Sequence, residues 1–133
     1  MTTSAIENWD WSRPVFDHLH LRVADLAASR AFYLAALRPL GIPLLIDTPE
    51  TVQFPNLALS ADGEPSARVH VAFVAADEDA VAAFHAAGVA AGGRDNGAPG
   101  PRRYGPPGST YHAAYVLDPD GNNVEAVFRS FGG

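Results

Sequence analysis

Four side chains in this sequence have the types and the spacing for metal or proton chemistry. They are His18 and His20 in FDHLHLRVADL, His70 in VHVAFVAADED, and Glu125 in LDPDGNNVEAV. Two neutral imidazoles and a carboxylate make a three-ligand set for a divalent first-row metal, with further positions left for water or substrate. The chain contains no cysteine, so thiolate ligands and disulfides are excluded, and any metal rests on His, Asp or Glu. The spacing is not a motif in itself. A strand histidine hydrogen-bonded at the margin of a core gives the same pattern, and both readings stand at this point.

The elements that must position these residues show as an internal repeat. DHLHLRVADLAASRAFYLAALRPLG aligns with VHVAFVAADEDAVAAFHAAGVAAGG at a constant offset of 52, setting His18 on His70, Asp25 on Asp77, Phe32 on Phe84 and Gly41 on Gly93. Each copy reads as a strand, an Asp placed to cap a helix, and an Ala-rich helix with Phe32 or Phe84 as its core anchor. IPLLID, TVQF and NLALS follow the first helix as short strands. YHAAYVL and NVEAVFR follow the second, joined by the turn DPDG. The expected fold is a single α+β domain of two tandem βαβββ modules, about 14–64 and 66–131, behind an N-terminal arm of residues 1–13. The modules would form a cupped, partly open mixed sheet with helices outside.

Strand alternation selects the side chains that face the cup. Leu19, Leu21 and Val23 share the face that a helix would cover, leaving His18, His20 and Arg22 on the other. Val69, Val71 and Phe73 oppose His70 in the same way, and Val124, Ala126 and Phe128 oppose Glu125. A pseudo-twofold axis between the modules would set His18 opposite His70. The repeat places His20 against Ala72, so His18 is the candidate ligand, and His20 takes a supporting or substrate-facing role with Arg22.

The order strand His, helix, second strand His, then DPDG and a strand Glu resembles the vicinal oxygen chelate superfamily, the glyoxalase, bleomycin resistance protein and dioxygenase family. The resemblance covers residues 14 to 130. It implies paired βαβββ modules around a metal cup, assembled as a homodimer. It also implies a divalent ion (Fe, Mn, Ni, Zn or Co) held by His18, His70 and Glu125 and chelated by vicinal oxygens of a small substrate. The activities implied are a metal-dependent lyase or isomerase of glyoxalase type, or a dioxygenase. The chain departs from the family at a fourth place, where a Glu or Gln comes from the last strand of module one. Here NLALS puts Ala58 or Leu59 there, and neither binds a metal; Asp62 and Glu64 lie beyond, in the turn ADGEPS. That loss weighs against proton transfer next to a carbonyl, which needs a metal and a base, and toward two-His, one-Glu iron chemistry. The family's dioxygenases are, however, usually longer. A second function from another class is a metal-free protein that sequesters a ligand, as bleomycin resistance members do. Those members tend to lack the ligand set, so its retention favours an enzyme. A decayed member without catalysis is the third reading.

Other residues carry paired readings. The segment GGRDNGAPGPRRYGPPG, residues 92 to 108, holds ten Gly or Pro and is expected to be a long loop. It is either a lid whose Arg102, Arg103 and Tyr104, with Tyr111 nearby, meet an anionic or oxygen-rich substrate, or a surface loop with solvated charges. His112, beside Tyr111, is expected either to line the cup as a catalytic acid or base or to bond across the sheet. His85 reads as an ordinary half-exposed helix residue. Trp9 and Trp11 would let the arm cover a partner subunit or a sheet edge.

Composition bounds the partners. Nine Lys and Arg against fifteen Asp and Glu give a net charge of −6 without a basic run, which removes the electrostatic drive toward nucleic acid. No apolar run approaches the roughly 20 residues that cross a bilayer, and the first residues lack a basic flank and an apolar core. A cytoplasmic protein acting on a small molecule is expected.

Overall fold

The computed structural model describes residue 5 and residues 7–130. Module one runs β1 (Leu19–Arg22), α1 (Leu26–Leu37), a 3-10 turn (Arg38–Leu40), β2 (Ile46–Asp47), β3 (Thr51–Phe54) and β4 (Leu57–Ser60). Module two runs β5 (His70–Val74), α2 (Glu78–Ala90), β6 (Arg94–Pro101), β7 (Thr110–Leu117) and β8 (Asn123–Ser130). The sheets have orders β1-β4-β3-β2 and β5-β8-β7-β6, so the sequence repeat is a repeat of topology. In each, the strand before the helix pairs in parallel with the last strand, and the others are antiparallel. Parts of the expected arm, and residue 131, lie outside the described residues; within the arm Trp9 packs under the Arg13 guanidinium, 5.1 Å from its ring centroid.

Both helices start where the repeated Asp stands. Asp25 accepts from the Ala28 backbone N–H and Asp77 from that of Ala80, satisfying an amide that the first helical turn leaves without a partner. Their apolar faces meet in one core that holds Leu21, Phe32, Leu59, Val81, Phe84 and Val124. Gly93 shows how close that packing is. A Cβ there would stand 2.5 Å from both Phe32 and Val116, so the turn after α2 tolerates only hydrogen.

The DPDG turn both ends β7 and joins the modules. The Asp118 carboxylate accepts from the backbone N–H groups of Asp120 and Asn122 and from the buried Tyr33 hydroxyl of α1, at 2.6 Å for the last. Asp120 Oδ1 accepts from the Ala24 N–H, just past β1. Gly121 takes φ +87, which favours glycine.

One expectation is corrected here. Residues 94–101, expected within a loop, form the edge strand β6, paired with β7 across two register shifts. An edge strand leaves one side of its backbone unpaired, so Pro99 and Pro101 are tolerated, and the shifts absorb the glycines. Gly97 is required by contact: a Cβ would fall 2.7 Å from the Tyr115 ring. Among the described residues no helix is long and apolar enough to cross a membrane.

Candidate functional site

Module two gathers chemistry around a buried carboxylate. Glu125 in β8 lies in register with Ala72 of β5 and Tyr115 of β7, so all three share the sheet face that α2 leaves open. Glu125 is 1% exposed. Its Oε1 is 2.7 Å from His70 Nε2, and its Oε2 accepts from the Tyr111 hydroxyl. With the carboxylate as acceptor, His70 Nε2 carries the hydrogen, so one edge of a half-exposed imidazole is fixed. Burial first, then the hydrogen bond to Glu125, pushes the Tyr111 phenol above its usual range. Burial and the Glu125 charge push that of Tyr115 up to about 12. Both are therefore hydrogen-bond donors beside the carboxylate. Arg129 stacks over Tyr111 and Arg102 over Tyr115, with guanidinium-to-centroid distances of 5.2 and 5.4 Å. Tyr104 meets Tyr111 edge-on.

Module one carries a different cluster on its open face. His20 Nε2 is 2.7 Å from Ser60 Oγ, which in turn donates to Asp62 Oδ1 at 2.7 Å. Arg22, expected to bind substrate, sets its Nε 3.3 Å from the same Asp62 oxygen. The Ser60 bond, ahead of the Arg22 charge, holds the Asp62 carboxyl below the usual carboxylate range. His18 precedes β1 and turns its Nδ1 to Asp17 at 2.7 Å. His18, His20, Ser60 and Asp62 line a cavity of about 810 Å³ with Glu50, Gln53 and Ala58. Ala58 pairs with His20, and Leu59 is buried in the core, so Ala58 holds the cup-facing position. Ser60 was missed in the sequence; its signal is the polar residue two positions past Ala58, on the same face.

The structure brings His70 and Glu125 together and leaves His18 apart. Among the described residues no three His, Asp or Glu side chains are grouped to hold a metal. The cause lies in how the modules join. The turn that meets Ala24 also binds Val69, beside His70, through Asn122 and Asn123. His70 therefore belongs with the far end of β1, whereas His18 precedes its near end, and four strand residues span about 13 Å.

His112 is corrected by the same alternation. It stands one residue from Tyr111 and so on the opposite face, 3.8 Å from Glu78 at the start of α2, where it does not meet Glu125. Arg102 is committed to the backbone: Nη1 donates to the Gly100 carbonyl at 2.9 Å and Nη2 to the Ala98 carbonyl at 2.8 Å, bracing β6. Arg103 is exposed in the β6–β7 connection. His85 bonds Asp95 at 2.9 Å.

The sequence model of the Glyoxalase/Bleomycin resistance protein/Dioxygenase superfamily matches residues 15–126. A solved glyoxalase/bleomycin resistance protein from Albidiferax ferrireducens T118 is 32% identical, with 86% of this chain and 98% of that one covered and a TM-score of 0.74. A glyoxalase-related enzyme from Fulvimarina pelagi shares the fold at 24% identity, 91% and 99% coverage and a TM-score of 0.63. Lactoylglutathione lyase from Agrobacterium tumefaciens shares it at 21% identity, 87% and 94% coverage and a TM-score of 0.59. No curated protein matches the chain.

Proposed function

This chain belongs to the Glyoxalase/Bleomycin resistance protein/Dioxygenase superfamily, and on that premise we propose that it is a metal-dependent enzyme for a small substrate with neighbouring oxygens. The observation that carries the reading is the His70–Glu125 pair, an imidazole nitrogen and a carboxylate oxygen 2.7 Å apart on an open sheet face. Both are donor types that suit a divalent first-row ion, so the residues fit as two-thirds of a ligand set. The third donor is His18, and we assign it to a second copy of the chain. Support for a homodimer comes from apolar side chains exposed near both candidate ends: Val74 at the end of β5 is 80% exposed and Phe16 before His18 is 85% exposed. A partner that laid module one over module two would cover such surface and deliver an imidazole to the pair.

When bound, the ion would polarise adjacent oxygens of the substrate. The chain's own residues do the rest. Tyr111 holds the Glu125 carboxylate in one orientation, Tyr115 stands beside it, and the Arg129 guanidinium over Tyr111 adds positive charge that favours an oxygen-rich substrate. With Ala58 where a fourth ligand would stand, a bound ion would be held by two imidazoles and one carboxylate and would leave more positions for substrate, an arrangement that suits oxygen chemistry better than proton transfer next to a carbonyl.

A second reading, a metal-free protein that sequesters a ligand, is favoured by one observation. Both Glu125 oxygens are already bonded to protein groups. Metal content of protein purified without chelator separates the two. The enzyme reading expects a tightly held ion that His70→Ala releases; no ion, and no change in added-metal affinity in that variant, would leave the sequestering reading.

A further inference from the structure

β8 begins at Asn123, too late for its backbone to serve the N–H of Val69, the residue before β5. Asn122 serves it from a side chain. Its Oδ1 accepts from the Val69 N–H at 3.0 Å, while the Asn123 N–H donates to the Val69 carbonyl at 2.8 Å. Both backbone groups of the residue next to His70 are thereby held. The Asn122 amide is fully buried, and its Nδ2 donates to Asp118 Oδ2 at 3.1 Å and to the Ser66 carbonyl at 3.4 Å. Turned over, it would set an N–H against the Val69 N–H and an oxygen against a carboxylate, so its orientation is fixed.

Module one provides an internal comparison. The register that sets Glu125 on Ala58 sets Asn122 on Pro55 and Asn123 on Asn56. Asp17, the counterpart of Val69, has its carbonyl bound by the Asn56 side chain, and among the described residues no group receives its N–H. His18, the counterpart of His70, stands outside the strand: β1 starts at Leu19, whereas β5 starts at His70 itself. A side chain is aimed by the pleat only where its backbone belongs to it. We propose that Asn122 is a positioning residue for the His70–Glu125 pair: its side-chain amide adds a rung to the β5–β8 ladder, which holds His70 in the strand and aims it at the carboxylate. Glu125 faces Ala72, two residues beyond His70 on the same sheet face, so the 2.7 Å contact depends on that alignment. The positioning of a metal ligand rests on the metal reading above; the alignment of the pair does not.

Long-range proton–nitrogen correlations of the histidine rings test this on the full, nitrogen-labelled, metal-free chain at about pH 8.5, where an ordinary imidazole is neutral. His70 is expected to carry its hydrogen on Nε2 alone. In Asn122→Ala its two nitrogens should average, while the His85 ring, bound to Asp95, keeps its signals. A loss of stability alone would leave both rings unchanged in the folded chain. Hydrogen exchange of the unaltered protein gives a second readout that needs no variant to fold. The Val69 amide should exchange at least about ten-fold more slowly, relative to its unstructured rate, than that of Asp17. Calorimetry with Mn or Ni separates the proposal from the metal reading: Asn122→Ala should bind the ion about ten- to a hundred-fold more weakly, as when a ligand loses its supporting bond. A His70 tautomer that Asn122→Ala leaves fixed, a Val69 amide no better protected than that of Asp17, or an ion bound equally well by both chains would each overturn the proposal. An unaltered chain that binds no ion, while His70 still answers to Asn122, overturns the metal reading alone.

Discussion

Ala58 occupies in module one the position that Glu125 occupies in module two. Glu125 pairs with Ala72 across the parallel β5–β8 ladder, and Ala58 pairs with His20, which stands 52 positions before Ala72. The modules share a backbone and differ at the residue that would bind a histidine. In module two Glu125 takes His70; in module one the counterpart of His70 turns to Asp17, and His20 turns to Ser60.

That relationship predicts the outcome of Ala58→Glu. The new carboxylate should reach His18 as Glu125 reaches His70, and the His18 ring signals should move while those of His70 stay. Stability should change by less than about 1 kcal/mol, since the side chain enters open cavity space. Unmoved His18 signals would show that the two ladders do not place their side chains alike.

Tyr111→Phe removes the hydroxyl that donates to one oxygen of a buried carboxylate. The expected cost is about 1–3 kcal/mol, read as a lower denaturant midpoint at an unchanged slope. A midpoint equal to that of the unaltered protein would mean that water replaces the phenol without loss.

The tyrosines also predict alkaline behaviour. Burial raises Tyr33, Tyr111 and Tyr115 in the folded chain, Tyr115 to about 12, while an unfolded tyrosine ionises near 10. Between those values the unfolded chain holds fewer protons, so unfolding releases protons and stability falls as pH rises. The stabilisation is complete below about pH 10 and is lost as pH climbs through the folded values. Denaturant midpoints at about pH 8.5, 10 and 11.5 check this, with a shallower fall expected in Tyr111→Phe.

The repeated glycines should respond differently to alanine. At Gly93 a Cβ meets Phe32 and Val116 at 2.5 Å, whereas Gly41 has open space and φ +76. Gly93→Ala should disturb the Val116 methyl signals and cost toward the upper end of about 1–3 kcal/mol by overpacking. Gly41→Ala should leave those signals alone and cost about 1 to 2 kcal/mol, from backbone strain alone. Thermal unfolding and methyl spectra of the two variants separate the causes.

Much of this was legible in the sequence for physical reasons. The period of two set Leu21 inward and His20 outward, and the repeat of Asp and Phe at one offset marked the caps and the core anchors. The Glu125 face was legible as well. Strand β6 was not, because its glycines and prolines read as loop until an edge position and two register shifts accommodate them. His112 followed the same alternation that placed Glu125 and was misread only by nearness in sequence to Tyr111. The separation of His18 from His70 was hidden, since it depends on how the DPDG turn docks on Ala24, a contact between distant segments that no local pattern encodes. The chain from His20 through Ser60 to Asp62 was hidden too, because it joins a strand to a turn 40 residues away.

A second copy that completes the His70–Glu125 pair with His18 would reveal itself in subunit mixing. His18→Ala and His70→Ala, each purified alone, should lose tight binding of a divalent ion such as Mn or Ni by calorimetry. Unfolded together and refolded, the two variants should regain one intact site in each mixed dimer, because one chain keeps His70 and Glu125 while the other keeps His18. Full binding by His18→Ala alone, or a mixture that binds no better than its components, would contradict it.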